Sequence, residues 1–301
     1  MAGIPESQLE TWARPTDTVK VEATLEAMRK ALGRYHGWPK NIDYKVYLQG
    51  SCRNGTNVGG DSDVDFVLEL NSPSQVDLSS PPVVGNAAFE RSASNVDYGW
   101  TEFRADALKA LQKWYGGASV FEGPNSLSVD GDARRLLADL LVCLPHRCYQ
   151  SLDSRYQQKQ VEGVKFFNRQ RNLWVPNYPK LHHVNNAKKN APCATNGWFS
   201  PTVRMFKNAR TYLVSQNAIP AYSVASFSIH SLLYNVPDRL FGVSYNRTLL
   251  NILNWMDETE FSDEVCLDEQ RYLFRGDPPA QWTIDSAKRY TRTMIELWNN
   301  W

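Results

Sequence analysis

Cysteine is scarce in this chain of 301 residues: Cys52, Cys143, Cys148, Cys193 and Cys266 are an odd number set far apart. That excludes a disulfide framework and fits a reducing compartment. Cys143 and Cys148 have no second Cys or His pair at zinc spacing, so they read as core or surface thiols. No run of about eighteen apolar residues occurs, and the opening MAGIPESQLETW has neither a basic nor an apolar targeting stretch. No membrane span is expected, and the expected compartment is cytoplasmic. An excess of one charge is missing too, with 33 Lys and Arg against 32 Asp and Glu and a net charge of +1. This argues against strong binding to long nucleic acids and makes a small ligand the expected partner. Gly and Pro, at 17 and 16, are too few for a low-complexity chain, and no internal repeat is visible. The length suits two domains or one two-lobed domain.

The apolar pattern predicts a first helix over 16–35, capped by Thr16 or Asp17, through Val21, Leu25, Met28, Leu32 and Tyr35. Strands are expected at 45–48 and 62–70, with a turn and short helix at 50–57 between them and a loop over 71–95. A second helix over 101–115, capped by Thr101, precedes strands at 119–122, 126–129 and 135–144. A hairpin of 161–167 with 172–175 is expected to lead away from that sheet. Beyond Pro179 the pattern turns helical, with helices near 201–215, 226–235, 248–260 and 283–300. The fold class is therefore α+β, a mixed sheet with helices over 1–165 and a mainly helical lobe over 166–301, with the first helix able to span both lobes.

Chemistry concentrates at Tyr47-Leu48-Gln49-Gly50-Ser51, followed by Asp63-Val64-Asp65. Alternate strand residues share a face, so Asp63 and Asp65 project together while Val64 and Phe66 turn to the core. Paired carboxylates repel unless a cation sits between them, and oxygen-only ligands suit Mg²⁺ or Mn²⁺. Gly50 permits close backbone approach, and Ser51 offers an N–H and a hydroxyl to a phosphate. Asp139 stands alone among the aliphatic residues 136–142 as a third carboxylate able to activate a hydroxyl. Buried without a partner it would cost on the order of several kcal/mol, which a metal or positive ligand would remove. A lone Asp-x-Asp is more often a solvated turn; Asp61, and Asp130 and Asp132 around Gly131, read that way. The combination is more specific and points to metal-dependent nucleotidyl transfer.

The run from Gln49 to Asp65, QGSCRNGTNVGGDSDVD, resembles the active-site signature of the bacterial cGAS/DncV-like nucleotidyltransferases. A second block resembles the helical lobe of that family, most closely its clade E: NYPKLH at 177–182, Lys189-Asn190, TNGWF at 195–199 and PTVRMFKNAR at 201–210. PESQLE at 5–10 and LLYNVP at 232–237 extend the likeness over nearly the whole chain. The resemblance implies a two-lobed, polymerase-beta-like fold in which Asp63, Asp65 and Asp139 bind two Mg²⁺ ions, Mn²⁺ being possible. It implies that Gly50 and Ser51 hold the donor triphosphate, with Lys207 and Ser226 on its phosphates from the helical lobe. Lys207 could equally be a solvated helix charge. His230 stands where the family often has a glutamate.

Asn177 matches a position where clade E relatives read a pyrimidine with an amide, which can both donate and accept. It could equally serve turn chemistry before Pro179. Tyr178 offers a ring for stacking, one candidate among many aromatics. The activity implied is a monomeric synthase that joins NTPs, UTP and ATP favoured, into a uracil-containing cyclic dinucleotide such as cyclic UMP-AMP or cyclic di-UMP. Its product would act on a separate effector in anti-phage defence. The alternatives are a purine cyclic di- or trinucleotide synthase, a linear nucleotidyltransferase, or a silent nucleotide- or RNA-binding regulator. Some members are conjugated through a small C-terminal residue; LWNNW at 297–301 lacks one, so conjugation is not expected.

Overall fold

The computed structural model describes residues 3–15, 18–59, 63–71, 98–150, 159–275 and 282–301, with only the backbone at 149–150 and 159–160. The expected caps Thr16 and Asp17, the Asp61 turn and nearly all of the 71–95 loop lie outside these residues. The chain divides into two compact units, Asp17–Cys52 with Ser62–Lys180, and Met1–Thr16 with Arg53–Asp61 and Leu181–Trp301. The boundary expected at 165 falls inside the hairpin of 159–177, all of which the first unit contains.

In the first unit, helices α2 (Thr18–Gly33) and α4 (Trp100–Tyr115) accompany a sheet of seven strands among the described residues. Its strands are β1 (Tyr44–Leu48), β2 (Val64–Leu70), β3 (Val120–Glu122), β4 (Leu127–Val129), β5 (Ala138–Gln150), β6 (Lys159–Asn168) and β7 (Leu173–Asn177). The order is β1-β2-β5-β4-β3, with β6 on β5 and β7 on β6; β2 and β5 are parallel, and the other pairs are antiparallel. Alternation sorts the central strands. Val64, Phe66, Leu68, Ala138, Leu140 and Val142 join Met28, Leu32, Phe103 and Leu111 in the main core, while Val67, Leu141, Cys143 and Val164 form a smaller cluster. Val67 is thus the apolar residue of the second face of β2, between the carboxylates Asp65 and Glu69.

Two expectations are corrected here. The cap of α4 is Gly99, not Thr101, because the Glu102 carboxylate reaches back to accept from Gly99 N at 2.9 Å. The β6–β7 hairpin does not leave the sheet: β5 runs thirteen residues, and its second half, from Leu144 onward, gives β6 an edge. Asn168 Oδ1 accepts from Arg171 N at 2.7 Å and Asn172 takes φ 55°, which closes that hairpin.

The second unit holds α1 (Glu6–Ala13), α6 (Phe199–Ser215), α7 (Ser226–Asn235), α8 (Tyr245–Glu258), α9 (Ile284–Asn299) and α5 (Pro179–Asn190) from Leu181 onward. Phe199, Val203, Phe206 and Leu213 of α6 lie fully buried among Leu9, Leu232, Ile252 and Tyr290 from the other helices. Ser244 and Thr283 cap α8 and α9, accepting from Arg247 N and Ser286 N at 3.1 Å each. The Glu6 carboxylate adds two bonds from the first N–H groups of α8, Tyr245 N and Asn246 N, at 2.6 and 2.8 Å. Among the described residues no helix is long and apolar enough to cross a membrane.

Candidate active site

Asp65 lies in β2 and Asp139 in β5, and the two are register partners across the parallel pair. Asp63 precedes Asp65 by two residues and is exposed, while Asp65 and Asp139 are half-buried. The face opposite the main core therefore carries Asp65 and Asp139, continued by Val67, Leu141 and Cys143. Asp139 is not the buried unpaired charge its sequence suggests: Ser128, its register partner on β4, donates its hydroxyl to Asp139 Oδ1 at 2.5 Å.

A short helix, α3 (Gly50–Asn54), follows β1, and Gly50 takes φ 63°. A Cβ there would collide with Asp65 Oδ2, so glycine is required by backbone conformation and by the close carboxylate together. The preceding residue ties the same elements, with Gln49 N donating to Asp65 O at 2.9 Å. Ser51 is half-buried one residue further on.

The register of β5, β6 and β7 places Asn177 opposite Val164, whose side chain belongs to the cluster with Val67 and Leu141. Asn177 is thus on the carboxylate side of the sheet. Its Nδ2 donates to Gln49 Oε1 at 3.0 Å, and its Oδ1 accepts from Tyr178 N at 3.0 Å. The second bond is the local turn chemistry open from the sequence. Tyr178 is only 5% exposed and lies 6.0 Å from the His146 ring, so its ring packs inside instead of offering a stacking platform. Periodicity did not single out Gln49, Ser128, or a buried polar group further along the face. There Tyr47 donates to Glu69 Oε2 at 2.9 Å and Lys180 Nζ lies 3.6 Å from the same oxygen. Burial first, and then Glu69, raise the Tyr47 hydroxyl and the Cys143 thiol above their ordinary pKa values.

Lys207 and Ser226 belong to the second unit. Lys207 is 3% exposed and its Nζ donates to Thr56 O at 3.0 Å, which rules out a solvated helix charge. Two further side chains take the preceding carbonyls: Asn186 Nδ2 donates to Asn54 O at 3.2 Å, and Arg204 donates to Gly55 O. Three consecutive carbonyls, from the last residue of α3 onward, are therefore bound by donors from α5 and α6. Ser226 opens α7, half-buried, and accepts from Arg210 Nη2 at 3.3 Å. His230, on the same helix and buried, pairs with Asn186 Oδ1 at 2.9 Å. Burial holds its pKa well below the ordinary histidine value, and Lys207 and His182 push the same way. The ring is therefore neutral, and it carries its proton on Nε2 because Asn186 turns its oxygen toward it.

Among the described residues no three His, Cys, Asp or Glu side chains could hold a metal ion as they stand. Asp65 and Asp139, a register pair, are nevertheless oxygen donors of the kind Mg²⁺ takes one or two at a time together with substrate oxygens, and Asp63 lies two residues before Asp65.

Residues 184–299 match the cGAS/DncV-like nucleotidyltransferase C-terminal helical domain, and residues 25–113 match the nucleotidyltransferase domain. The cyclic UMP-AMP synthase of Rhodothermus marinus is 41% identical over 298 residues, 99% of each chain. The solved structure of the Rhodothermus marinus CdnE c-UMP-AMP synthase with Apcpp and Upnpp aligns with a TM-score of 0.87, covering 99% of this chain and 97% of that one. The cyclic nucleotide synthase CdnE01 of Staphylococcus haemolyticus is 33% identical over 303 residues, 99% of each chain. A cyclic dipurine nucleotide synthase of Elizabethkingia meningoseptica is 29% identical over 252 residues, 82% of each chain. With both domains matched and a relative at 41% identity along almost its whole length, this chain belongs to the cGAS/DncV-like nucleotidyltransferases as a CdnE-type enzyme.

Proposed function

We propose that this enzyme joins UTP and ATP into a cyclic UMP-AMP-type dinucleotide, a second messenger for a separate effector in anti-phage defence. The observation that carries the reading is the register pairing of Asp65 with Asp139 on the sheet face that also bears Asn177. The 41% identity to a cyclic UMP-AMP synthase supports the choice of bases.

Asp63, Asp65 and Asp139 would hold Mg²⁺, which when bound offsets phosphate charge and favours ionisation of a ribose hydroxyl. Gly50 lets the backbone of the turn approach the donor triphosphate, and Ser51 gives it an N–H and a hydroxyl. The likeness of their segments to the family's helical lobe supports Lys207 and Ser226 as further phosphate ligands, a cation and a hydroxyl. The Ser128 hydroxyl takes one lone pair of Asp139 Oδ1 and steadies the carboxylate, whose remaining lone pairs serve the metal ion and the proton of the acceptor hydroxyl. The hydroxyl oxygen then bonds to the α-phosphorus as the bond to pyrophosphate breaks. A second round within the linear intermediate closes the ring.

Labelled UTP incubated with ATP, Mg²⁺ and the enzyme, then treated with phosphatase, tests this. The expected product keeps its label, needs both nucleotides and disappears with a chelator. A phosphatase-trimmed product with the mass of a linear dinucleotide would mean a linear nucleotidyltransferase, label fully released would mean no joining, and a resistant product made only from ATP and GTP would mean a purine synthase.

A further inference from the structure

Gln49 precedes the Gly50-Ser51 turn and touches both parts of the proposed site in the first unit. Its backbone N–H donates to Asp65 O at 2.9 Å, and its side-chain Oε1 accepts from Asn177 Nδ2 at 3.0 Å. Both side chains are half-buried, where a carboxamide contact is less diluted by water than on an open surface.

An asparagine amide has two N–H donors and two acceptor lone pairs. The Tyr178 N–H, which can only donate, fixes which end of the Asn177 amide is oxygen. That bond alone leaves the amide plane free to tilt about it. Gln49 supplies the second fixed point, so one N–H and one lone pair of Asn177 remain, aimed in a set direction. A donor and an acceptor side by side complement the N3–H and carbonyl edge of uracil only while that direction is held.

We propose that Gln49 is the positioning residue for base selection, acting through Asn177 and tying it to the strand that carries Asp65. The inference rests on the base-reading role of Asn177. An equimolar mixture of the four NTPs, with the products resolved by mass, gives the uracil-to-purine ratio separately from total joining. Gln49→Leu and Gln49→Met, which cannot accept a hydrogen bond from the amide, are expected to lower that ratio about threefold to tenfold, the worth of one neutral hydrogen bond. Gln49→Glu keeps an acceptor oxygen at the same reach and is expected to restore the ratio even where total joining falls. In an Asn177→Ser background, Gln49→Leu is expected to change the ratio no further.

A drop in total joining with an unchanged ratio for both Gln49→Leu and Gln49→Met would reduce Gln49 to a structural role and overturn the inference, with Asn177 untouched. A further shift in the Asn177→Ser background would show Gln49 acting independently, which also overturns it. An unchanged ratio for Asn177→Ser alone would remove the base-reading role, and the inference with it.

Discussion

Asp65 and Asp139 sit directly opposite one another on the parallel strands β2 and β5, two carboxylates at matched register beside the Gly50 turn. Like charges at opposed strand positions are destabilising. Nothing in packing asks for that pair, since the core faces the other way through Phe66 and Leu140. Asp65→Asn is expected to leave stability within about 1 kcal/mol of the parent. Nucleotide joining should fall roughly a hundredfold or more. A melting curve beside a joining assay separates the two, and a folded variant with full activity would remove Asp65 from the chemistry.

Asp139→Asn should separate binding from chemistry. The Ser128 hydroxyl can still donate to the amide oxygen, so the strand pairing stays intact while the proton acceptor is lost. The joining rate is expected to drop about 10²- to 10⁴-fold, with NTP affinity measured by calorimetry reduced far less.

Gly50→Ala tests the turn from the backbone side. A φ of 63° costs an alanine roughly 1–2 kcal/mol, and the added methyl would also displace the Asp65 carboxylate. Both the denaturation midpoint and joining should fall, and activity should fall further than the loss of folded protein explains.

The site was legible where chemistry and alternation coincide: Asp63, Asp65 and Asp139 stand out because carboxylates interrupt apolar strands. Gln49 and Ser128 were not, because they act through partners distant in sequence, Asn177 and Asp139, that no local pattern reveals. Helix α5 was missed for a related reason. Periodicity looks for apolar residues, and this helix buries Asn185 and Asn186 to hold the carbonyls of Leu267 and Asn54. The burial of Lys207 was equally hidden, since its partner is a backbone carbonyl far away in the chain.

Lys207→Met keeps the length of that side chain and removes its charge. The Thr56 carbonyl, left without this donor, should cost about 1–3 kcal/mol, read as a lower urea midpoint. A phosphate contact present in ground and transition states alike should also raise the KM for NTP more than it lowers kcat. An unchanged KM would confine Lys207 to holding the loop.

His230 predicts a pH dependence of stability. Its folded pKa is depressed, so below the unfolded value of about 6.5 the unfolded chain takes up a proton that the native ring does not. Stability from this group is full at higher pH and declines as the pH falls below that value. His183, also depressed by burial and by Arg53, adds in the same sense. The loss in melting temperature between about pH 7 and pH 5.5 should be smaller in His230→Gln than in the parent. Equal losses would show that His230 does not titrate this way.

The most direct test of the account is the mass of the product made by the parent enzyme from all four NTPs and Mg²⁺, beside the Asp65→Asn variant. The parent enzyme is expected to give a phosphatase-resistant product whose mass matches one UMP and one AMP joined in a ring, absent from the variant. A parent product without uracil, or one formed equally by Asp65→Asn, would contradict it.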